Sequence, residues 1–252
     1  MRLLKLTLLL LSCYCLLVVP AQAESARVNY VIDGDTVILD DKRHVRLLAI
    51  NAPEVEGKRR AEPGGEAAKQ WLKRRVEGER VQLVGDEQSR DKYGRSLFYL
   101  FDSQGQLVNE QLLAKGLAVL SIHPPNLKYL VRLQAAQSQA QRQRRGLWSL
   151  PEYQLVSLKQ AIKEKRRGWQ RVLVKPQNVS DSRKYRRLVL GLEADIRIRK
   201  ANLSYFPVLK NYLGCQMEVR SWLSWHKGQL SILVRHPSQL LIKDSNKCAE
   251  TL

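Results

Sequence analysis

Apolar residues fall along the chain in two distinct periods. Val28, Tyr30 and Ile32 alternate, Val37-Ile38-Leu39 follows, and after a polar turn at Asp40-Asp41-Lys42 comes the run Val45 to Ile50. Alternation marks a half-buried strand, and apolar residues on both parities mark a strand covered on both faces. Asn51-Ala52-Pro53-Glu54 ends the run, because Pro53 cannot donate to a ladder and holds Ala52 extended. Residues 55–65 are polar and contain glycine, as a surface loop does. From Glu66 to Glu79 the period becomes helical, with Ala68, Trp71, Leu72 and Val76 on one face and Lys69, Lys73 and Arg74 opposite. Val81–Val84 and Ser96–Phe101 predict strands; Val108–Lys115 and Leu127–Arg145 predict helices stopped by Gly116 and Gly146. Short strands with three helices predict a small closed barrel flanked by helices.

Beyond residue 150 the pattern changes. Residues 151–168, with "KQAIKEKRRG", read as a basic helical linker. A second β-rich segment follows, at Val172–Val174, Leu188–Leu192, Ile196–Ile198, Met217–Trp222 and Leu230–Val234, with Gly228 in a hairpin turn. At the other end, Arg2 and Lys5, the apolar run Leu8–Val19 and Ala21-Gln22-Ala23 predict a secretory signal over residues 1–23, cleaved near Ala23. The expected division is therefore 1–23, 24–150, 151–168 and 169–252, in an exported, periplasmic or secreted monomer without a membrane span. Export leaves Cys215 and Cys248, which an oxidising compartment favours as one disulfide.

Charge sharpens this picture. Residues 24–150 carry 21 basic and 16 acidic groups, whereas residues 151–252 carry 20 and 8. A field this positive attracts polyanions: nucleic acid, anionic lipid or acidic glycan. Charge does not choose among them.

Several chemistries are excluded. Asp33-Gly34-Asp35 would open a calcium loop of the EF-hand type only with Glu at the twelfth position, which is His44. No phosphate-binding GxxxxGK[ST], no GxSxG and no paired histidines occur. What remains is a spaced set: "DGDT" (33–36), "RLLAINAPE" (46–54) and "DKYGR" (91–95). A carboxylate with neutral oxygens holds a hard cation such as Ca²⁺. A second carboxylate orients or deprotonates water. Two arginines grip a phosphate and stabilise charge in its transition state.

In this order and spacing, these motifs resemble the staphylococcal nuclease (thermonuclease) family, and the likeness extends to "VNEQLLAKGLA" (108–118) and "GLWS" (146–149). The resemblance implies an α+β fold, a five-stranded OB-type β-barrel with three helices, over residues 24–150, and Ca²⁺-dependent cleavage of DNA or RNA. It implies that Arg46, Glu54 and Arg95 are catalytic, with Glu54 as general base and the arginines on the scissile phosphate. It implies that Lys92 and Tyr93 hold a neighbouring phosphate and that Asp35, Asn51 and Ala52 supply oxygens to the metal. Asp33 is then expected to fix the turn. The family's usual aspartate is replaced here by Asn51, which removes one negative charge from the metal site, and its nucleotide-stacking aromatics fall near Ser121 and His123. The segment Val219–Ile242 resembles the small OB-like module appended to some bacterial members, in which Trp222 and Trp225 either stack on single-stranded nucleic acid or belong to the core. The reading is a nuclease with a basic accessory domain; the alternatives are an inactive nucleic-acid-binding module of the same fold, or a surface protein binding anionic lipid or glycan.

Overall fold

The computed structural model describes residues 24–55, 61–244 and 248, so the expected signal segment lies outside the described residues. The first domain is a closed barrel of five strands: β1 (Glu24–Asp33), β2 (Thr36–Leu39), β3 (His44–Leu47), β5 (Arg80–Val84) and β6 (Ser96–Phe101), in the order β1-β2-β3-β6-β5. Between β3 and β5 come the short β4 (Ile50–Asn51) and helix α1 (Gly65–Val76); α2 (Val108–Ala114), β7 (Val119–Leu120) and α3 (Leu130–Arg142) complete the domain. β3 and β6 run parallel, pairing Arg46 with Leu97; the other barrel pairs are antiparallel. Val28, Val31, Val37, Leu39, Val45 and Leu47 are buried in one core with Leu72 of α1 and Leu112 of α2; a register shift in β1 between Val28 and Tyr30 breaks the expected Val28–Tyr30–Ile32 alternation and leaves Tyr30 exposed.

The expected strand Val45–Ile50 is broken. Ala49 is left-handed (φ 59°) and turns the chain, so that β4 leaves the barrel and pairs with β7. A non-glycine residue in that region costs about 1–2 kcal/mol, which two groups offset: Ser121 N–H donates to Ala49 O at 2.8 Å and buried Asn109 donates to Leu48 O at 2.8 Å. Asn109 also accepts from Leu100 N–H at 3.0 Å, which ties this corner to β6.

The expected helical linker is only partly helical. A 3₁₀ turn spans Pro151–Tyr153, β8 (Leu155–Ser157) joins the second sheet, and α4 covers only Leu158–Lys163. Leu155-Val156 extends a sheet edge beside Val172, and Ser157 Oγ accepts from Gln160 N–H at 3.1 Å, which starts the helix there. β9 (Gly168–Val174), β10 (Asn178–Asp181), β11 (Tyr185–Val189), β12 (Ala194–Arg199), β13 (Gln216–His226), β14 (Gln229–Val234) and β15 (Leu240–Asp244) complete the second domain. Its strands form one eight-stranded sheet, in the order β10-β11-β12-β14-β13-β9-β8, with β15 also paired to β13. Lys227 (φ 49°) and Gly228 (φ 80°) make the expected hairpin turn. Cys215 and Cys248 form a disulfide.

The two domains share an aromatic cluster. Trp148 and Trp169 stand 5.7 Å apart between ring centroids, and Tyr153 lies 5.8 Å from Trp169. Trp222 packs against this cluster, while Trp225 packs on the second core and donates from Nε1 to Arg166 O at 2.9 Å. Both rings are therefore committed to packing.

Candidate active site

The β1–β2 turn is built by its first aspartate. Asp33 Oδ1 accepts from Asp35 N–H at 3.0 Å, the Asx geometry expected of it. Gly34 permits a close approach: a Cβ there would sit 2.5 Å from Ala52 Cβ and 2.6 Å from Ala68 Cβ. The turn thus docks on the Asn51–Glu54 segment and on α1 together. Gly65 repeats the device, since its Cβ would lie 2.4 Å from Glu54 O. The Gly64-Gly65 start of α1 therefore packs directly on the backbone that carries Glu54, and Glu62 N–H donates to Glu54 O at 2.9 Å.

Asp35 is buried, at 6% exposure. Its Oδ2 accepts from Ala52 N–H at 2.7 Å and lies 3.0 Å from Arg46 Nη2, and its Oδ1 accepts from Thr36 Oγ1 at 3.0 Å. Burial, with the nearby Asp33, raises its pKa to about 7 against the opposing pull of Arg46, Ala52 N–H and Thr36. Arg46 Nη2 also donates to Asn51 Oδ1 at 3.1 Å, and Nη1 to Leu47 O at 2.7 Å. Asn51 Nδ2 donates to Ala52 O at 2.8 Å. All four predicted residues around the carboxylate, Asp35, Arg46, Asn51 and Ala52, are thus joined in one network.

Arg95 immediately precedes β6, two residues before Leu97, the cross-strand partner of Arg46. Asp91 organises its loop, accepting from Tyr93 N–H (2.9 Å), Arg95 N–H (3.0 Å) and Arg95 Nε (2.7 Å). Gly94 (φ 81°) allows the chain to close this turn. Burial works against the Asp91 charge, but the bonds from Arg95 and Tyr93 hold its carboxyl below the usual range. Lys92 Nζ lies 4.8 Å from the centroid of the Tyr93 ring, which is 70% exposed. Tyr93 and Arg95 line an open groove of about 430 Å³ with Lys42, Arg43, His44 and Arg90, a strongly cationic wall. Among the described residues no hydrogen bond or ion pair joins this loop to the Asp35 network; the β3–β6 ladder connects them.

Two positioning residues, Thr36 and Asp91, were present in the quoted motifs without an assigned role. Asp-x-x-Gly is a turn signature and points to Asp91; a threonine next to a strand aspartate carries no comparable signal. Of the two positions noted for nucleotide stacking, Ser121 is buried and its carbonyl lies 3.2 Å from His123 Nδ1.

Comparison with known proteins decides the family. The family model for staphylococcal nuclease homologues matches residues 44–150. The thermonuclease of Staphylococcus hyicus is 35% identical over 133 residues, covering 51% of this chain and 78% of that protein. The chain belongs to the staphylococcal nuclease family. A second family relative, the thermonuclease of Staphylococcus intermedius, is 38% identical over 132 residues, covering 50% of this chain and 77% of its own. Endonuclease YncB of Bacillus subtilis is 37% identical over 132 residues, covering 50% of this chain and 62% of that protein. The family match ends at residue 150, where the barrel domain ends, and leaves the second domain unmatched.

Proposed function

We propose that the protein hydrolyses phosphodiester bonds of DNA or RNA at the barrel rim bearing Asp35, Arg46, Glu54 and Arg95. The observation that carries this reading is the network joining Asp35, Arg46, Asn51 and Ala52, with Arg95 at the head of the strand paired to that of Arg46. The names of the thermonuclease and endonuclease relatives support it.

Glu54 accepts a proton from water as the water oxygen attacks phosphorus. Arg46 and Arg95 donate to the non-bridging oxygens, whose charge grows as the fifth bond forms. The opposite P–O bond breaks in line, and the leaving oxygen takes up a proton from solvent. A guanidinium has five N–H donors, so Arg46 can meet a phosphate without giving up its bonds to Leu47 and Asn51. Lys92 and Tyr93 bind the adjacent phosphate, and the cationic groove beside them draws the strand in.

Asp35 with the carbonyl oxygens of Asn51 and Ala52 would hold a hard cation once Arg46 Nη2 turns from Asn51 Oδ1 and Asn51 Nδ2 from the Ala52 carbonyl; among the described residues no group of three or more His, Cys, Asp or Glu side chains is placed to hold one. The raised pKa of Asp35 means that Arg46 compensates its buried charge only in part. Calcium bound there would supply Lewis-acid stabilisation of the phosphate and lower the pKa of bound water. The apolar, positively flanked N-terminus and the Cys215–Cys248 bond both suit export to an oxidising compartment. Among the described residues no helix is long and apolar enough to cross a membrane.

The test is incubation of the purified protein with labelled DNA and RNA in Ca²⁺, Mg²⁺ or EDTA. Cleavage in Ca²⁺ that EDTA abolishes is expected. Binding without cleavage in all three conditions would establish the inactive nucleic-acid-binding module instead, a reading that the neutral Asn51 favours.

A further inference from the structure

The second domain has a sheet face opposite its core, and that face is rich in arginine. Cross-strand partners share a face of a sheet. Register pairs Tyr185 with Arg199 and Arg187 with Arg197, across β11 and β12. In the parallel β12–β14 pair, Ile198 aligns with Val234, which sets Arg235 beside Arg199. Ile198 and Val234 are buried in the second core, so Tyr185, Arg199 and Arg235 form a row on the opposite face.

The arginines of this face differ in how they are compensated. Asp195 lies 3.4 Å from Arg187 and 3.0 Å from Arg197. Arg199 and Arg235 are absent from every ion pair among the described residues, although the two repel each other and Arg235 is half-buried. Two adjacent guanidiniums, one partly desolvated and neither matched by a carboxylate, are an unfavourable arrangement unless an anion completes it.

Their position says which anion. Gln239 accepts from Arg235 N–H at 2.8 Å and, with Ser238, lines a small cavity of about 70 Å³ against Leu120 and Ile122 of the first domain. This seats the Arg235 turn across that cavity from Leu120 and from Ile122, one residue before His123. Protein atoms surround His123 closely, and this, then the charge of Arg235 and also that of Arg46, lowers its pKa to about 4. His123 therefore stands within the fields of both Arg46, on the candidate catalytic rim, and Arg235, on the second domain.

We propose that Arg199 and Arg235, with Tyr185 beside them, form a second phosphate-binding subsite that holds a polynucleotide backbone as it runs from the Arg46–Arg95 rim past His123. This rests on the nuclease reading for the identity of the ligand. The subsite binds backbone, without touching bases, so it adds affinity rather than sequence preference. It also gives the second domain a role in substrate binding that requires neither tryptophan to stack.

The test uses the full chain and a fluorescein-labelled single-stranded oligodeoxynucleotide in EDTA, titrated over a range of KCl. Arg199→Ala, Arg235→Ala and the double variant are compared with Arg186→Ala, whose arginine is on the core-side parity and paired to Asp181. Each phosphate-binding arginine removed should flatten the slope of log K against log salt by about 1, and the double variant should bind on the order of tenfold more weakly. Arg186→Ala should bind as the wild type does. Because Arg235 is half-buried, the exposed Arg199→Ala and matching melting curves guard against loss of fold. Wild-type affinity and slope in the double variant would overturn the subsite. Hydrolysis by the wild type of a 5′-phosphorylated dinucleotide, which carries both the scissile and the neighbouring phosphate, reads the catalytic rim separately, so the two proposals fail independently.

Discussion

Arg46 Nη2 lies 3.0 Å from the buried Asp35 carboxylate, whereas Arg95 pairs with Asp91 in a more open loop. The two arginines assigned to one phosphate therefore have unequal structural duties. Removing one partner of a buried pair strands the other charge and costs about 3–5 kcal/mol, while an exposed pair contributes about 0–1 kcal/mol. In urea melts made in EDTA above pH 7, where the Asp35 carboxyl is ionised beside Arg46, Arg46→Ala should lower unfolding stability more than Arg95→Ala does, and the gap should shrink as pH falls and Asp35 neutralises. Equal stability losses would show that the Asp35–Arg46 pair is not the structural anchor described here.

Gly34 should not tolerate a methyl group. A Cβ there meets Ala52 and Ala68 at 2.5 and 2.6 Å, and overpacking of this kind costs about 1–3 kcal/mol. Gly34→Ala should lower the melting temperature and reduce cleavage, because the Asp33–Asp35 turn can no longer seat against the Asn51–Glu54 segment. A variant that melts and cleaves like the wild type would contradict that packing.

Much of the first domain was legible because its elements follow local rules. The strand predicted over Ser96–Phe101 has its observed bounds, and the helix predicted over Val108–Lys115 matches to within one residue, because period and stop signals coincide there. The β3–β4 break was not legible: it depends on Ala49 adopting a left-handed conformation that Asn109 and Ser121 hold from far along the chain. The motif residues were legible as a set, but not their contacts. That Asn51 spends its amide on the Ala52 carbonyl is a matter of side-chain orientation. The second domain was legible only as β-rich; its register, and with it the Tyr185–Arg199–Arg235 row, is set by non-local pairing that alternation does not encode.

Glu218 makes the second domain sensitive to acid. It is fully buried, with Arg171 Nε at 2.7 Å, Arg220 Nε at 2.6 Å and Lys243 Nζ at 2.7 Å. Burial alone would raise its pKa, but these three cations prevail and take it to about 2, from 4.5 in a free chain. A depressed carboxylate pKa stabilises the fold above the unfolded value, and that stability is lost as pH falls from about 4.5 towards 2. The contribution is on the order of 3 kcal/mol. Glu218→Gln should be less stable than the wild type at neutral pH, and the gap should close in acid; a gap independent of pH would contradict the assignment.

Asn51→Asp should strengthen the metal site. Aspartate cannot donate to the Ala52 carbonyl, so that oxygen is released while a second carboxylate joins Asp35, and Ca²⁺ affinity follows ligand charge. Calorimetric titration should show tighter Ca²⁺ binding, and melting curves a larger Ca²⁺-induced rise from a lower metal-free starting point, because the two carboxylates repel. Identical affinity in both proteins would mean that residue 51 does not coordinate the cation.

The central claim is that the rim formed by Arg46, Glu54 and Arg95 performs the hydrolysis. It is tested most directly by kcat for cleavage of labelled DNA in saturating Ca²⁺, measured for the wild type, Glu54→Gln and Arg95→Ala, with melting curves recorded alongside. Loss of a charge-stabilising donor or a general base at the reacting phosphate should reduce kcat on the order of 10²-fold or more while the melting temperature stays near that of the wild type. Near-wild-type kcat in both variants would place the catalytic site elsewhere on the molecule.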